Sequence, residues 1–78
     1  MTIIHLYTTA GCHLCELAQN LLIDLDCPVQ AIEIGDDDTL IAQYGVRIPV
    51  LKFSDNSELD WPFTLQDIKA KVQSIPQE

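Results

Sequence analysis

The sequence has few basic residues. Four Lys and Arg stand against twelve Asp and Glu, which gives a formal net charge of −8 at pH 7. A nucleic-acid backbone or an anionic membrane surface is bound by clustered Lys or Arg, so this composition argues against both kinds of partner. We therefore expect neither nucleic acid nor membrane among the partners, and a monomer as the state in solution.

A long hydrophobic run is also missing. No apolar stretch approaches the roughly 18 residues needed to cross a bilayer. Residues 1–5 show no basic region and no small-residue cleavage site, so we expect no signal peptide and a cytoplasmic location, where thiols are kept reduced. The three cysteines cannot all pair within one chain. Catalytic or metal-binding cysteines are therefore favoured over a structural disulfide framework.

The 78 residues predict one domain, because residues 1–78 contain no repeat, linker or low-complexity segment. Hydrophobic residues make up 47% and charged residues 21%, as in globular proteins. Residues 3–7 predict a buried strand. The apolar residues that follow predict one face of a helix: Leu14, Leu17, Ala18, Leu21, Leu22 and Leu25. Ile23 lies outside this stripe, and the pattern gives no reason for it.

The rest of the chain predicts three strands and two helices. The strands fall at residues 29–34, 50–54 and 58–61. An Asp-rich turn caps the short second helix, which ends at Gly45. Thr64 and Asp67 resemble a capping box for the last helix, with Phe63 and Ile68 as its hydrophobic staple. The order β-α-β-α-β-β-α predicts an α/β fold with a four-stranded mixed sheet, since the helical crossover makes the first strand pair parallel and the tight turn makes the last pair antiparallel.

Two cysteines lie between the first strand and the first helix, in the segment Cys12-His13-Leu14-Cys15. At a helix N-terminus the dipole and the unpaired N–H groups lower a thiol pKa from about 8.5 to about 3.5–7.5. Cys12 precedes the first turn, whereas Cys15 lies one turn later beside the apolar stripe. We predict an exposed nucleophile at Cys12, a shielded resolving thiol at Cys15, and tuning of the thiolate by His13.

The same spacing leaves two other interpretations open. The cysteines could be inert, or they could bind a metal ion or an iron–sulfur cluster for delivery to a partner. A structural tetrahedral site needs four ligands, and beyond the two cysteines the chain offers His5, His13 and Cys27, with no second CxxC. A cluster shared between two chains would relax that objection. Our expectation is that no metal is bound.

Ile48-Pro49, directly before the third strand, adds a second motif. A proline in this position commonly ends a loop with a trans bond. Together with the CxxC and the order of elements, however, it makes the chain resemble the thioredoxin superfamily, in which a cis-proline lies beside the active cysteines. The resemblance implies that Pro49 shapes the substrate site and that the backbone of Ile48 pairs with an extended substrate segment.

Within that superfamily the chain is similar to the glutaredoxins, and the patterns CHLC, YGVRIPVL and WPF are similar to the small bacterial glutaredoxin-like proteins. The resemblance implies a thiol–disulfide oxidoreductase acting on a disulfide-containing protein or a small thiol. Two glutathione anchors of the family are missing here: a Lys before the first cysteine (residues 7–11 are YTTAG) and a Gly-Gly turn before the last helix (residues 59–64 are LDWPFT). We therefore expect no cofactor, and the sequence does not decide whether glutathione is the reductant.

Three side chains near these motifs each have two interpretations. Trp61 either lines a hydrophobic substrate groove, since in this fold its loop lies near the cis-proline loop, or packs the end of the sheet. Tyr7 either reaches the site or belongs to the core. Arg47 either contacts a glutathione carboxylate or is solvated at the surface, and we favour the surface position.

Overall fold

Four strands and three helices follow one another in the computed structural model, which describes residues 3–25 and 28–74. The elements are β1 (Ile4–Thr8), α1 (His13–Leu22), β2 (Val29–Glu33), α2 (Asp38–Tyr44), β3 (Val50–Lys52), β4 (Glu58–Asp60) and α3 (Leu65–Ser74). This order confirms the prediction, with strand ends moved by one or two residues. Cys27 lies outside the described residues. In the described part of the chain, every helix is too short or too polar to cross a membrane.

The sheet has the strand order β2-β1-β3-β4. β1 pairs in parallel with β2 and antiparallel with β3, and β3 pairs antiparallel with β4. This is the mixed sheet that the connections predicted. The register sets Ile4 opposite Val29 and Leu6 opposite Ala31. β1 and β3 are the two interior strands of this sheet.

Helices cover both faces. α1 and α3 pack on one face, around the buried residues Ile4, Leu6, Ala18, Leu22, Leu51, Phe53, Phe63 and Ile68. α2 packs on the other face, around Tyr7, Ile34, Tyr44 and Val50. Burying an apolar side chain contributes about 1.5–3 kcal/mol, so these two clusters are the main source of stability for so short a chain.

Helix α1 buries a face that is shifted from the predicted stripe, although Ala18, Leu21, Leu22 and Leu25 do lie in or against the core. Its buried residues are Cys15, Ala18 and Leu22, whereas Leu14 and Leu17 are exposed. The prediction omitted Cys15 from the apolar face, and a cysteine without polar partners packs like a small hydrophobic residue. With Cys15 as a member, the buried face of α1 is centred farther from Leu14 and Leu17. The predicted burial of these two leucines is therefore wrong.

The last helix begins as the sequence predicts. Thr64 Oγ1 accepts from the Asp67 N–H at 3.1 Å, and Asp67 Oδ2 accepts from the Thr64 N–H at 3.0 Å. Phe63 and Ile68 lie in the same buried cluster, as a hydrophobic staple requires. The capping box thus fixes the direction in which the chain leaves β4 and enters α3.

Candidate active site

Cys12 and Cys15 form a disulfide at the N-terminus of α1. Gly11, with φ 81°, lets the chain turn sharply before Cys12. Cys12 is the N-cap, and its Sγ accepts from the backbone N–H of Cys15 at 3.2 Å. Cys12 is half-buried, whereas Cys15 is 1% exposed. The two sulfurs therefore differ in accessibility in the direction that the sequence predicts.

This position favours a thiolate on Cys12 once the disulfide is reduced. The Cys15 N–H is then a donor to a negatively charged sulfur, and such charge-assisted hydrogen bonds are about twice as strong as neutral ones. The helix dipole acts in the same direction, because its positive end lies at the N-cap. A low thiol pKa raises the fraction of thiolate available to attack a disulfide at neutral pH.

Glu33, at the end of β2, holds the loop that leads to Cys12. Its Oε1 accepts from the Ala10 N–H at 3.0 Å and its Oε2 accepts from the Gly35 N–H at 2.7 Å. The pKa of Glu33 lies below its usual value, first through a hydrogen bond from the Thr9 side chain and then through these two amides. We call this arrangement of Glu33 with Thr9, Ala10 and Gly35 the Glu33 clamp.

The clamp requires a glycine at position 35. A methyl group there would lie 2.8 Å from Glu33 Oε2 and 3.1 Å from Thr9 Oγ1, so it would displace the carboxylate. The sequence analysis missed Glu33 as a site residue. The sequence held no local signal for this role, because an exposed Glu at the end of a strand is ordinarily solvated.

Glu33→Gln should loosen this loop. A glutamine has a single acceptor oxygen, and its NH₂ group would face an N–H donor, so the two amides cannot both be satisfied. We expect hydrogen exchange at the Ala10 and Gly35 amides to become about tenfold faster, as measured by NMR. Glu16→Gln is the control, because it removes a nearby carboxylate that holds neither amide. Unchanged protection in Glu33→Gln would contradict the clamp.

The disulfide lies in a cleft of about 280 Å³. Its walls are residues 8–11, the two cysteines, Glu16, Gln19 and Glu33. Among these lining residues, every charged side chain is a carboxylate. His13 does not line the cleft: its side chain is 81% exposed, with Nδ1 3.9 Å from Glu16 Oε2. Contact of His13 with substrate therefore stays a prediction.

The Ile48-Pro49 peptide bond is cis, as the resemblance implies. Pro49 is buried, and the pairing of Tyr7 with Val50 places it beside the end of β1, which leads to Cys12. The Ile48 N–H donates to the Tyr44 carbonyl at 3.0 Å. Pairing of the Ile48 backbone with a substrate segment stays a prediction.

The loop before α3 lies against the cis-proline loop. The Trp61 N–H donates to the Pro49 carbonyl at 3.2 Å, and the Trp61-Pro62 peptide bond is also cis, which the sequence analysis did not predict. The Trp61 ring is half-buried and meets Phe63 edge to face, with centroids 5.1 Å apart. Tyr7 belongs to the core, stacked on Tyr44 at 4.3 Å. Tyr7 is thus a core residue, whereas Trp61 packs with one part of its ring and contact of its exposed part with substrate stays a prediction.

Arg47 lies at the surface, as expected, but it is also held there in an ion-pair network that the sequence analysis did not predict. Its Nε and one NH₂ group donate to the two oxygens of Asp60 at 3.1 and 2.9 Å. The same NH₂ group donates to Glu58 Oε1 at 2.7 Å, and the Tyr44 hydroxyl donates to Glu58 Oε2 at 2.7 Å. The network ties the residue before Ile48 to β4.

The charges in this network shift one another's pKa values. The Arg47 guanidinium lowers the pKa of Asp60, and it lowers that of Glu58 together with the Tyr44 hydroxyl. The bond to Glu58 raises the pKa of Tyr44 to about 12. All four groups therefore keep their ordinary charge at neutral pH, and the network stays intact there.

The metal-binding interpretation finds no ligand set in residues 3–25 and 28–74. No three His, Cys, Asp or Glu side chains of this part of the chain are grouped as a metal ion would need. Cys27, one of the ligands considered from the sequence, lies outside the described residues.

Comparison with known proteins adds a family match and structural neighbours. The family model described as Glutaredoxin-like domain (DUF836) matches residues 3–73. The X-ray structure of target protein XcR50 from X. campestris is 35% identical, with a TM-score of 0.86 over 94% of this chain and 99% of that one. The solution structure of protein Ne2328 from Nitrosomonas europaea is 26% identical, with a TM-score of 0.70 over 90% and 89%. No curated protein matches. With the strand order, these neighbours confirm the predicted thioredoxin fold.

Proposed function

Because the chain belongs to the family of glutaredoxin-like domains, we propose that it is a thiol–disulfide oxidoreductase with Cys12 as nucleophile and Cys15 as resolving thiol. The observation that carries the proposal is the position of the pair. Cys12 Sγ receives the Cys15 N–H at the N-cap of α1, while Cys15 is buried beside it. An accessible thiolate next to a shielded thiol is the arrangement that disulfide exchange needs.

The reaction has two steps. The Cys12 thiolate attacks one sulfur of a substrate disulfide, a Cys12–substrate bond forms, and the other substrate sulfur leaves as a thiolate that takes up a proton. Cys15 then loses its proton and attacks Cys12 Sγ, which releases the second substrate thiol. The protein is left with the Cys12–Cys15 disulfide, and the substrate has gained two electrons and two protons.

An external thiol must then reduce the protein disulfide. Glutathione is one candidate for this reductant, although the chain lacks the Lys and the Gly-Gly turn that bind glutathione in the family. Arg47 cannot replace these anchors without breaking its bonds to Asp60 and Glu58. We propose the cytosol as the compartment, since a reducing thiol pool is present there. Pro49, Ile48, Trp61 and His13 are proposed to contact substrate.

A redox titration of the Cys12–Cys15 pair tests this function. The protein is equilibrated in graded thiol–disulfide buffers, alkylated and weighed by mass spectrometry, with Cys27→Ser as background so that two cysteines remain. We expect one two-electron transition. A potential near −270 mV would resemble thioredoxin, and one near −200 to −230 mV would resemble glutaredoxins. Failure of the pair to oxidise, or of the reduced protein to reduce any disulfide, would contradict the function.

A further inference from the structure

We propose that the substrate disulfide lies in an extended polypeptide segment with a basic side chain beside its cysteine and an apolar side chain about four residues away. The inference rests on the proposed function and names the substrate of the same dithiol. It follows from the charge around the dithiol and from a second, apolar cleft that lies next to the first along β2.

Charge is distributed unevenly along the chain. All four basic residues lie at position 47 or later: Arg47, Lys52, Lys69 and Lys71. Residues 1–46, which carry both cysteines, thus contain no Lys or Arg. Arg47 is already bonded to Asp60 and Glu58. The dithiol therefore lies in a negatively charged part of the molecule.

The cleft itself has the same sign. Glu16 and Glu33 both line it together with the two cysteines. Glu33 is held in its charged form by the Thr9 side chain and two amides. Opposite charges attract, so a Lys or Arg next to the substrate cysteine stabilises the encounter with these two carboxylates. An acidic segment, or the net negative glutathione molecule, is repelled.

A second cleft, of about 250 Å³, lies next to the first, and Gln19 lines both. Its other walls are apolar: Leu6, Leu22, Ile23, Val29 and Ala31. Glu33 lines the first cleft and Val29 the second, so the two clefts lie one after the other along β2. At about 3.3 Å per residue the four steps from Glu33 to Val29 span about 13 Å, so an extended substrate would reach the apolar cleft about four residues from its cysteine.

An extended chain fits this surface for another reason. β2 is an edge strand that pairs with β1 alone among the described strands, so its outer backbone groups can accept an added strand. Ile23, which the helical pattern left unexplained, is 76% exposed at the wall of the second cleft. Contact with an apolar substrate side chain gives this residue a function.

Synthetic peptides test the inference. Each carries one cysteine in a disulfide with 2-mercaptoethanol, flanked by Lys, Gln or Glu, and either Leu or Asn four residues away. The measured quantity is the rate constant for oxidation of the reduced protein, divided by the rate of the same peptide with dithiothreitol. We expect Lys to exceed Glu by about tenfold at low salt and by about twofold at 1 M salt, because salt screens charges. Leu should exceed Asn by about threefold at both salt concentrations.

Matched variants locate the two preferences. Glu16→Gln should reduce the Lys preference about twofold, whereas Asp38→Asn, which removes the same charge outside the cleft, should leave it unchanged. Ile23→Asn should remove the Leu preference and leave the Lys preference intact. Equal rates for all peptides would overturn the inference while the proposed function stands. Equal effects of Glu16→Gln and Asp38→Asn would also overturn it, and no reaction with any peptide would overturn the proposed function itself.

Discussion

Cys12→Ser should lower the rate of disulfide exchange to the uncatalysed background, a loss on the order of 10³-fold or more, since the thiolate is the attacking group. Cys15→Ser should keep the first attack and stop before the second. In that variant the Cys12–substrate disulfide has no internal thiol to resolve it, so a covalent complex accumulates. Mass spectrometry after mixing with a peptide disulfide would show the mass of the peptide added to the protein.

The contrast between the two variants is the informative result. Cys15 is almost fully buried, whereas Cys12 is partly accessible, so an external disulfide should meet Cys12 first. Cys27→Ser is the control for the loss of a thiol as such, and we expect it to exchange disulfides like the unchanged protein. Peptide trapped on Cys15 in the Cys12→Ser variant would reverse the assigned roles.

Arg47→Met should produce a large loss of stability, because it leaves the Glu58 and Asp60 carboxylates side by side without their shared cation. Arg47 and Asp60 are partly exposed, with side chains 35% and 49% accessible, so solvent screening limits the effect. We expect the free energy of unfolding at pH 7 to fall by about 1–2 kcal/mol. For a domain of this size that corresponds to about 5–15 °C in Tm.

The effect of Arg47→Met should depend on pH. The folded-state pKa values of Glu58 and Asp60 lie below their usual values of 4.5 and 3.8. Their ion-pair stabilisation is therefore fully present above about pH 5 and is lost as the pH falls through the lowered values. The stability difference between the variant and the unchanged protein should shrink in that range, as thermal unfolding at successive pH values would show.

A matched control separates the network from the loss of a positive charge. Lys69→Met removes one cation from the exposed surface of α3 and should change the free energy of unfolding by less than about 0.5 kcal/mol. If Lys69→Met and Arg47→Met were equally destabilising, or if the Arg47→Met difference persisted unchanged at low pH, the network would not be the cause.

Local patterns in the sequence predicted the fold and the position of the dithiol. The CxxC follows a strand and begins a helix, and Thr64 caps α3 through Asp67; both features depend on residues a few positions apart. The parallel first pair and the antiparallel last pair of strands followed from the connections between them. Each of these signals can be detected in one stretch of chain, because hydrophobic periodicity and capping are local properties.

The residues that support the site could not be predicted in the same way. Glu33 bonds an amide 23 positions earlier in the chain, and Arg47 bonds a carboxylate 13 positions later. These partners meet because parallel strands end at one edge of the sheet and because a hairpin brings β4 beside β3. The sequence therefore gave no sign of the partners of Arg47, and Glu33 was not predicted as a site residue. The roles of Glu33 and Arg47 both depend on contacts between residues that are far apart in the sequence.

The burial of Cys15 makes the hydrophobic core part of the redox chemistry. Cys15 packs on the same helix face as Ala18 and Leu22, yet each catalytic cycle would change it from a thiol to half of a disulfide. A core that accommodates one of these forms better makes that form of the folded protein more stable. The reduction potential then shifts by the same free energy, about 30 mV for every 1.4 kcal/mol. Substitutions at Ala18 or Leu22 would thus change the reduction potential of the Cys12–Cys15 pair, although neither side chain takes part in the exchange reaction.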